Sequence, residues 1–250
     1  MPAIESPALP RILCLHGAGS SGAIFKAQGR RIFRSLRNEF SFDFIDAPFP
    51  SKPGPGMRPA YEDSGPFWRW QCDMIAVEAF DITEAEVLVE RDQVRDMILG
   101  KLREMGGGVE GIMAFSQGAR VATGLLLYLE KMRREGRLEE LGLPDLRFAV
   151  VNSATYPLLY LDQETEDWVK SGGAGENVLS ADAQKQKEKV TIPSLHLHGS
   201  TDPWRLESEK MKAKFFAEVS SSRMEYTGGH QVPLREQDTS KVVTAMRNFA

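Results

Sequence analysis

Three short segments carry the residues able to do covalent chemistry. Ala114-Phe-Ser-Gln-Gly118 sets Ser116 where an apolar run gives way to a helical pattern, with small residues two before and two after it. A serine on such a turn is held in a strained backbone conformation with its hydroxyl presented above the strand ends, and at a helix N-terminus it sits where developing negative charge is stabilised. Glycine is the usual residue at both flanking places, so Ala114 is a departure, though the smallest available. The pentapeptide alone leaves a second reading open, a serine that merely caps the helix. Leu195-His-Leu-His-Gly-Ser-Thr-Asp-Pro-Trp204 then places Asp202, and Tyr226-Thr-Gly-Gly-His230 places His230, each just beyond an apolar run. Singly, Asp202 reads equally as a helix cap and His230 as an exposed loop residue. Jointly, a serine, an acid and a histidine at three strand ends are the parts of an activated nucleophile: His230 as general base, Asp202 holding the imidazole, Ser116 attacking.

An oxyanion formed by such an attack needs preorganised donors. Leu15-His-Gly-Ala-Gly-Ser20 follows the first apolar run, and a Gly-rich turn there exposes backbone N–H groups; with the N–H after the nucleophile, this predicts Ala18 and Gln117 as the donors. A phosphate-binding turn is the alternative, but the segment has neither the dinucleotide spacing nor a P-loop lysine and Ser/Thr pair. His196 and His198 share one face of a strand and His16 lies near the proposed site. With no HExxH helix and no cysteine pair, they read as buried or supporting histidines, and no metal is expected.

The elements that must position these residues alternate. Apolar runs at Arg11 to His16, Phe40 to Asp46, Gly111 to Phe115, Leu146 to Asn152, Pro193 to His198 and Arg223 to Thr227 read as strands. Between them, Phe25, Ile32, Phe33 and Leu36 pattern one helix, Val94 to Met105 a second and Val121 to Met132 a third; Met211, Phe215 and Val219 suit a fourth, and Val242 to Phe249 a fifth. This is an α/β chain with a mostly parallel central sheet flanked by helices, read as one domain over residues 1–250. Two stretches interrupt the rhythm: proline-rich residues 48–86, with Tyr61, Phe67, Trp68 and Trp70, and residues 156–189, which carry a Gly-rich SGGAG segment and then a polar, charged run. Both leave from strand C-terminal ends, where open parallel sheets bind ligands, so both are candidate lid or pocket segments.

Composition narrows the partners. A formal charge of −4 provides no global field for nucleic acid or an anionic membrane, and no apolar stretch approaches the roughly 18 residues of a membrane span. The N-terminus lacks the basic and apolar regions of a signal peptide, and Cys14 and Cys72 show no metal-ligand spacing; a cytoplasmic protein is expected.

The chain resembles the FSH family of serine hydrolases, whose relatives include standalone thioesterases of fungal polyketide gene clusters. The resemblance rests on ILCLHG near the N-terminus, Asp46-Ala-Pro-Phe-Pro50, Phe67-Trp-Arg-Trp70, the FSQG core, Ile192-Pro-Ser-Leu-His-Leu-His-Gly199 with Asp202-Pro203, and Gly228-Gly-His230. It implies a compact α/β-hydrolase with Ser116, Asp202 and His230 as its triad, working without a cofactor on an acyl thioester or ester, the acyl chain delivered by an acyl carrier domain of a polyketide synthase. A general carboxylesterase and a catalytically silent binding protein are the alternatives. Phe67, Trp68, Trp70 and Trp204 would then wall an apolar acyl pocket, with core packing as the other reading. Arg30, Arg34 and Arg37, at helical spacing, are either a solvated face or a docking stripe for an acidic carrier.

Overall fold

The computed structural model describes residues 8–72, 83–171 and 189–249. Its six-stranded sheet is built from β1 (Arg11–Leu15), β2 (Ser41–Ile45), β5 (Val109–Phe115), β6 (Phe148–Asn152), β7 (Ser194–Gly199) and β8 (Ser221–Tyr226), in the spatial order β2-β1-β5-β6-β7-β8 with every neighbouring pair parallel. All six strands coincide with the six apolar runs. The four inner strands, β1, β5, β6 and β7, are buried on both faces and alternate between two cores, while the edge strands β2 and β8 are partly exposed. Leu13, Leu15, Ile112 and Ala114 face one, which is filled from α3 (Glu84–Met105), α4 (Gln117–Arg134) and α6 (Arg205–Phe215); Ile12, Cys14, Met113 and Phe115 face the other, filled from α1 (Gly22–Gln28), α2 (Arg30–Leu36) and α7 (Glu236–Arg247).

Three features differ from the sequence reading. The helix expected from Phe25 through Leu36 is two helices meeting at Gly29, where a side chain would stand 2.3 Å from the Phe33 ring. Within 48–86 lies an antiparallel pair, β3 (Phe49–Ser51) and β4 (Phe67–Arg69), three residues each and containing Pro50, too short and too proline-bound to register as strands. Within 156–189 lies α5 (Gln163–Lys170), whose N-cap Asp162 accepts from the Thr165 N–H at 2.7 Å. Residues 73–82 and 172–188 of these two stretches lie outside the described residues. Val219, expected in the fourth helix, falls beyond α6 and is exposed.

Strand order reverses between β1 and β5, since the chain leaves β1 toward β2 on one side and later builds β6, β7 and β8 on the other. That switch opens a crevice at the C-terminal ends of β1 and β5. The His16-Gly-Ala turn leaves one lip and Ser116 the other.

Candidate active site

Ser116 follows β5 directly and precedes α4, with φ 54° and ψ −120°. A non-glycine residue in the left-handed region costs energy and persists only where its surroundings enforce it. The enforcement is visible here: the Ser116 N–H donates to the Asn152 carbonyl at 3.0 Å, and a side chain at Gly118 would stand 2.4 Å from the His16 carbonyl oxygen, so α4 is pressed against the end of β1. Ser116 makes no side-chain bond to its own helix. The capping alternative is therefore set aside; its Oγ lies 2.8 Å from His230 Nε2.

His230 Nδ1 lies 3.0 Å from Asp202 Oδ2 and 3.2 Å from Oδ1. Because a carboxylate only accepts, Nδ1 carries the proton, which leaves Nε2 as the acceptor for the Ser116 hydroxyl. Asp202 Oδ1 also accepts from the Trp204 N–H at 2.9 Å. Burial by itself raises the Asp202 carboxyl, but hydrogen bonds from His230, the Trp204 N–H and Ser153 outweigh it and hold the group below its usual range. The imidazole is confined between rings, with Trp204 edge-on at 4.5 Å and Phe115 at 5.0 Å. The three residues named from the sequence are thus one hydrogen-bonded chain.

The turn after β1 lies against this chain, since a side chain at Gly17 would come within 3.1 Å of Ser116 Cβ. Gly19 has φ +65° and no room for a side chain beside Gly54; its N–H donates to the Trp68 carbonyl at 2.9 Å and its carbonyl accepts from Gly54 at 2.9 Å. These bonds fix the peptide planes on either side of Gly19, the residue after Ala18. Gln117 opens α4, so its N–H has no acceptor within the helix. Its side chain is engaged elsewhere, accepting from the Trp70 N–H at 2.9 Å and donating to the Gln71 carbonyl at 2.7 Å.

His16 is structural. Its Nε2 accepts from the Ala47 N–H at 3.0 Å and its Nδ1 faces the Gly17 carbonyl at 2.7 Å, which fixes a neutral tautomer, and burial lowers its pKa. His196 packs edge-on against Phe216 with Nε2 3.2 Å from Ser194 Oγ, and burial holds it well below its ordinary value. Among the described residues no group of three or more potential metal ligands assembles.

The aromatic candidates divide. Trp204 is the one whose ring meets the triad. Trp70 is fully buried, its indole N–H donating to the His16 carbonyl at 2.7 Å, so it belongs to the core beneath the crevice and lines no open pocket; this corrects the sequence reading. Trp68 and Phe67 are half-buried in β4, where Trp68 supports the oxyanion turn through its backbone. Arg30, Arg34 and Arg37 join Lys26 around a groove of about 480 Å³ floored by Leu9, Phe33, Phe40, Phe42 and Phe44. Among the described residues none of these four cations has an acidic partner, and the neighbouring acids Asp43 and Glu39 pair with Arg11 and Arg247.

Sequence reasoning missed the polar residues behind the triad, Asn152, Ser153 and Tyr226. Their signal was present in Asn152 and Ser153, polar residues at the end of an apolar strand beside that of Ser116.

Comparison with known proteins agrees with this geometry. A family model described as "Serine hydrolase (FSH1)" matches residues 6–242. The chain is 37% identical over 242 residues to Thioesterase FSL2 of Gibberella zeae, covering 95% of this chain and 91% of that protein, and 34% identical over 246 residues to Esterase citA of Monascus ruber, covering 97% and 92%. In fold it is similar to acyl-protein thioesterase 2 of Zea mays (TM-score 0.57, 17% identity, 98% and 95% covered) and to a Bacillus cereus carboxylesterase (TM-score 0.57, 15% identity, 98% and 91% covered). With the fold, the Ser116–His230–Asp202 chain and a family match over nearly its whole length, this protein belongs to the FSH1 serine hydrolases and is an enzyme of the esterase and thioesterase kind.

Proposed function

We propose that the enzyme releases an acyl chain from a thioester by two-step transfer through Ser116, and that its substrate is a polyketide or fatty-acyl-like chain borne by an acyl carrier domain. The observation that carries the chemistry is the unbroken chain from Ser116 Oγ to His230 Nε2 and from His230 Nδ1 to Asp202. His230 takes the Ser116 proton as Oγ attacks the carbonyl carbon, and the tetrahedral oxyanion is held by the Ala18 and Gln117 N–H groups. The imidazolium, stabilised by Asp202, then protonates the departing sulfur. Water, deprotonated by His230, attacks the acyl-enzyme, and its collapse returns the proton to Ser116 with loss of a carboxylic acid. No cofactor enters any step.

Trp204 forms the apolar wall nearest the acyl carbon in this reading. The carrier is supported by the motif resemblance to polyketide-cluster thioesterases, by the 37%-identical relative named a thioesterase, and by the unpaired cations around the α1–α2 groove, which suit an acidic partner. Cys14 and Cys72, both buried and not joined in a disulfide, fit the reducing cytoplasm we propose for it. A second reading, an esterase acting on free oxygen esters, is favoured by the relatives that carry the name esterase.

Fluorophosphonate labelling tests the nucleophile: wild type labels, and Ser116→Ala does not. Acyl thioesters and oxygen esters of matched chain length then rank the two readings, with a higher kcat/KM on the thioester expected. Reversing Arg30, Arg34 and Arg37 to glutamate is expected to slow turnover of carrier-borne substrate while leaving a small acyl thioester unaffected. Equal turnover of the carrier-borne substrate by this variant would remove the docking role.

A further inference from the structure

Among the described residues two that are not glycine have positive φ, Ser116 at 54° and Ser153 at 49°. Ser153 ends β6 as Ser116 ends β5, its N–H donating to the Leu197 carbonyl at 2.9 Å. Its side chain is 1% exposed, so it meets no substrate. It meets Tyr226 instead: Ser153 Oγ lies 3.1 Å from the Tyr226 hydroxyl. Tyr226, also buried, directs its hydroxyl to the carbonyls of Gly229, at 3.4 Å, and Gln231, the residues on either side of His230, and lies 3.3 Å from Asn152 Oδ1.

We infer that Ser153 is a positioning residue for the reaction: its backbone is held in a strained conformation so that its hydroxyl reaches Tyr226, and with Tyr226 it ties the loop carrying His230 to the end of β6. Strain at a buried non-glycine residue persists only where something over-determines it. Tyr226 has a single hydroxyl hydrogen and the Gln231 carbonyl is the nearest of its acceptors, so the Ser153 hydroxyl donates to the Tyr226 oxygen. The two bonds run in one direction from the end of β6 to the peptide beyond His230 and restrict its rotation.

The inference rests on the triad assignment above, and the two fail separately: an active Ser116→Ala enzyme sinks both, whereas a labelled, active wild type with unaffected Ser153 variants sinks only this one. Glycine accepts a φ of 49° without strain and alanine does not, so the pair Ser153→Gly and Ser153→Ala separates the hydroxyl from the backbone. With a p-nitrophenyl ester, both variants are expected to lose roughly tenfold in kcat, the worth of one buried hydrogen bond, with KM within about twofold. Ser153→Gly is expected to melt no lower than wild type. Tyr226→Phe is expected to lower kcat by at least as much, and Ser153→Gly added to Tyr226→Phe to cost nothing further, because the two hydroxyls act as one chain. Unchanged kcat in both Ser153 variants overturns the inference, as does a loss of kcat that follows the melting temperature or a double variant in which the two losses multiply.

Discussion

Two adjacent strands of this sheet end in the same way and do opposite things. In register Phe115 lies beside Asn152, so Ser116 and Ser153 occupy equivalent places one step beyond β5 and β6, and both carry left-handed backbone. What separates them is what comes next. After Ser116 a helix of 18 residues begins, its first N–H groups open toward the hydroxyl, and the atom facing Oγ is a histidine nitrogen able to take a proton. Ser153 is followed by no helix until α5, and its hydroxyl faces the Tyr226 hydroxyl, which takes no proton from it and leaves the oxygen no more nucleophilic. Strain thus presents a serine, while a base and a helix N-terminus make it reactive.

The largest effect that tests this contrast is at Ser116. Ser116→Ala is expected to lower kcat by about 10⁴-fold or more, since removal of one member of such a chain costs nearly as much as removal of all. Loss of that size at β5 against roughly tenfold at β6 is the contrast in numbers. Mass spectrometry of the fluorophosphonate-treated protein provides a direct check, and label on Ser153 would erase the distinction.

Asp202 comes next. Asp202→Asn keeps the shape of the side chain but offers His230 an amide, which favours the tautomer protonated at Nε2 and so removes the acceptor for the Ser116 hydroxyl. A fall in kcat of about 10³- to 10⁴-fold is expected at pH 7, with little change in KM. A fall of less than tenfold would mean that Ser153, Trp204 and Tyr226 hold the imidazole without the acid's charge.

Much of this arrangement was legible beforehand, and the remainder was not for physical reasons. The inner parallel strands announced themselves because strands buried on both faces must be largely apolar, and the partly exposed edge strands β2 and β8 kept enough apolar residues to be read with them. The triad was legible because its three residue types recur at strand exits in an order that serves one chemistry. Trp70 misled because its surroundings in sequence, a proline-rich segment, suggested a surface loop, whereas its indole fills the space below His16. Ser153 was invisible as a functional residue because its role depends on φ and on a partner 73 positions away, Tyr226, which no local pattern encodes.

A third strand end extends the row. Leu197 pairs with Asn152, which puts His198 beside Ser153 as Ser153 is beside Ser116. Its two ring nitrogens are buried without a hydrogen-bond partner among the described residues, and burial first, with Arg223 adding to it, pushes its pKa down to about 4; Glu209 and Asp202 oppose this and Arg205 reinforces it. The unfolded chain takes up this proton near pH 6.5 and the native one only near 4, so stability falls as the pH drops through that window, by at most about 1.4 kcal/mol per pH unit from this group. His196, also lowered, adds in the same direction. Melting temperatures measured at pH 7 and pH 5 are expected to differ less in His198→Leu than in wild type, and an equal difference would show that the imidazole is solvated.

The smallest effect concerns Ala114, the residue that departs from the usual glycine two places before the nucleophile. If its methyl group crowded the turn, Ala114→Gly would relax Ser116 and raise kcat. The neighbouring strand argues otherwise. Val151 pairs with Ala114 and stands two places before Ser153, which reaches φ 49° with a larger, β-branched side chain in the same position. Both side chains are buried in the same core, on the face packed by α3 and α4, which directs them away from the turn. Ala114→Gly is therefore expected to leave kcat and KM within about twofold of wild type and to cost about 1 kcal/mol of stability, from the lost methyl burial and the greater freedom of the unfolded chain. Denaturant unfolding measures the second quantity. A variant faster by tenfold would place the strain of Ser116 in its own strand, and would make β5 and β6 alike in form for unlike reasons.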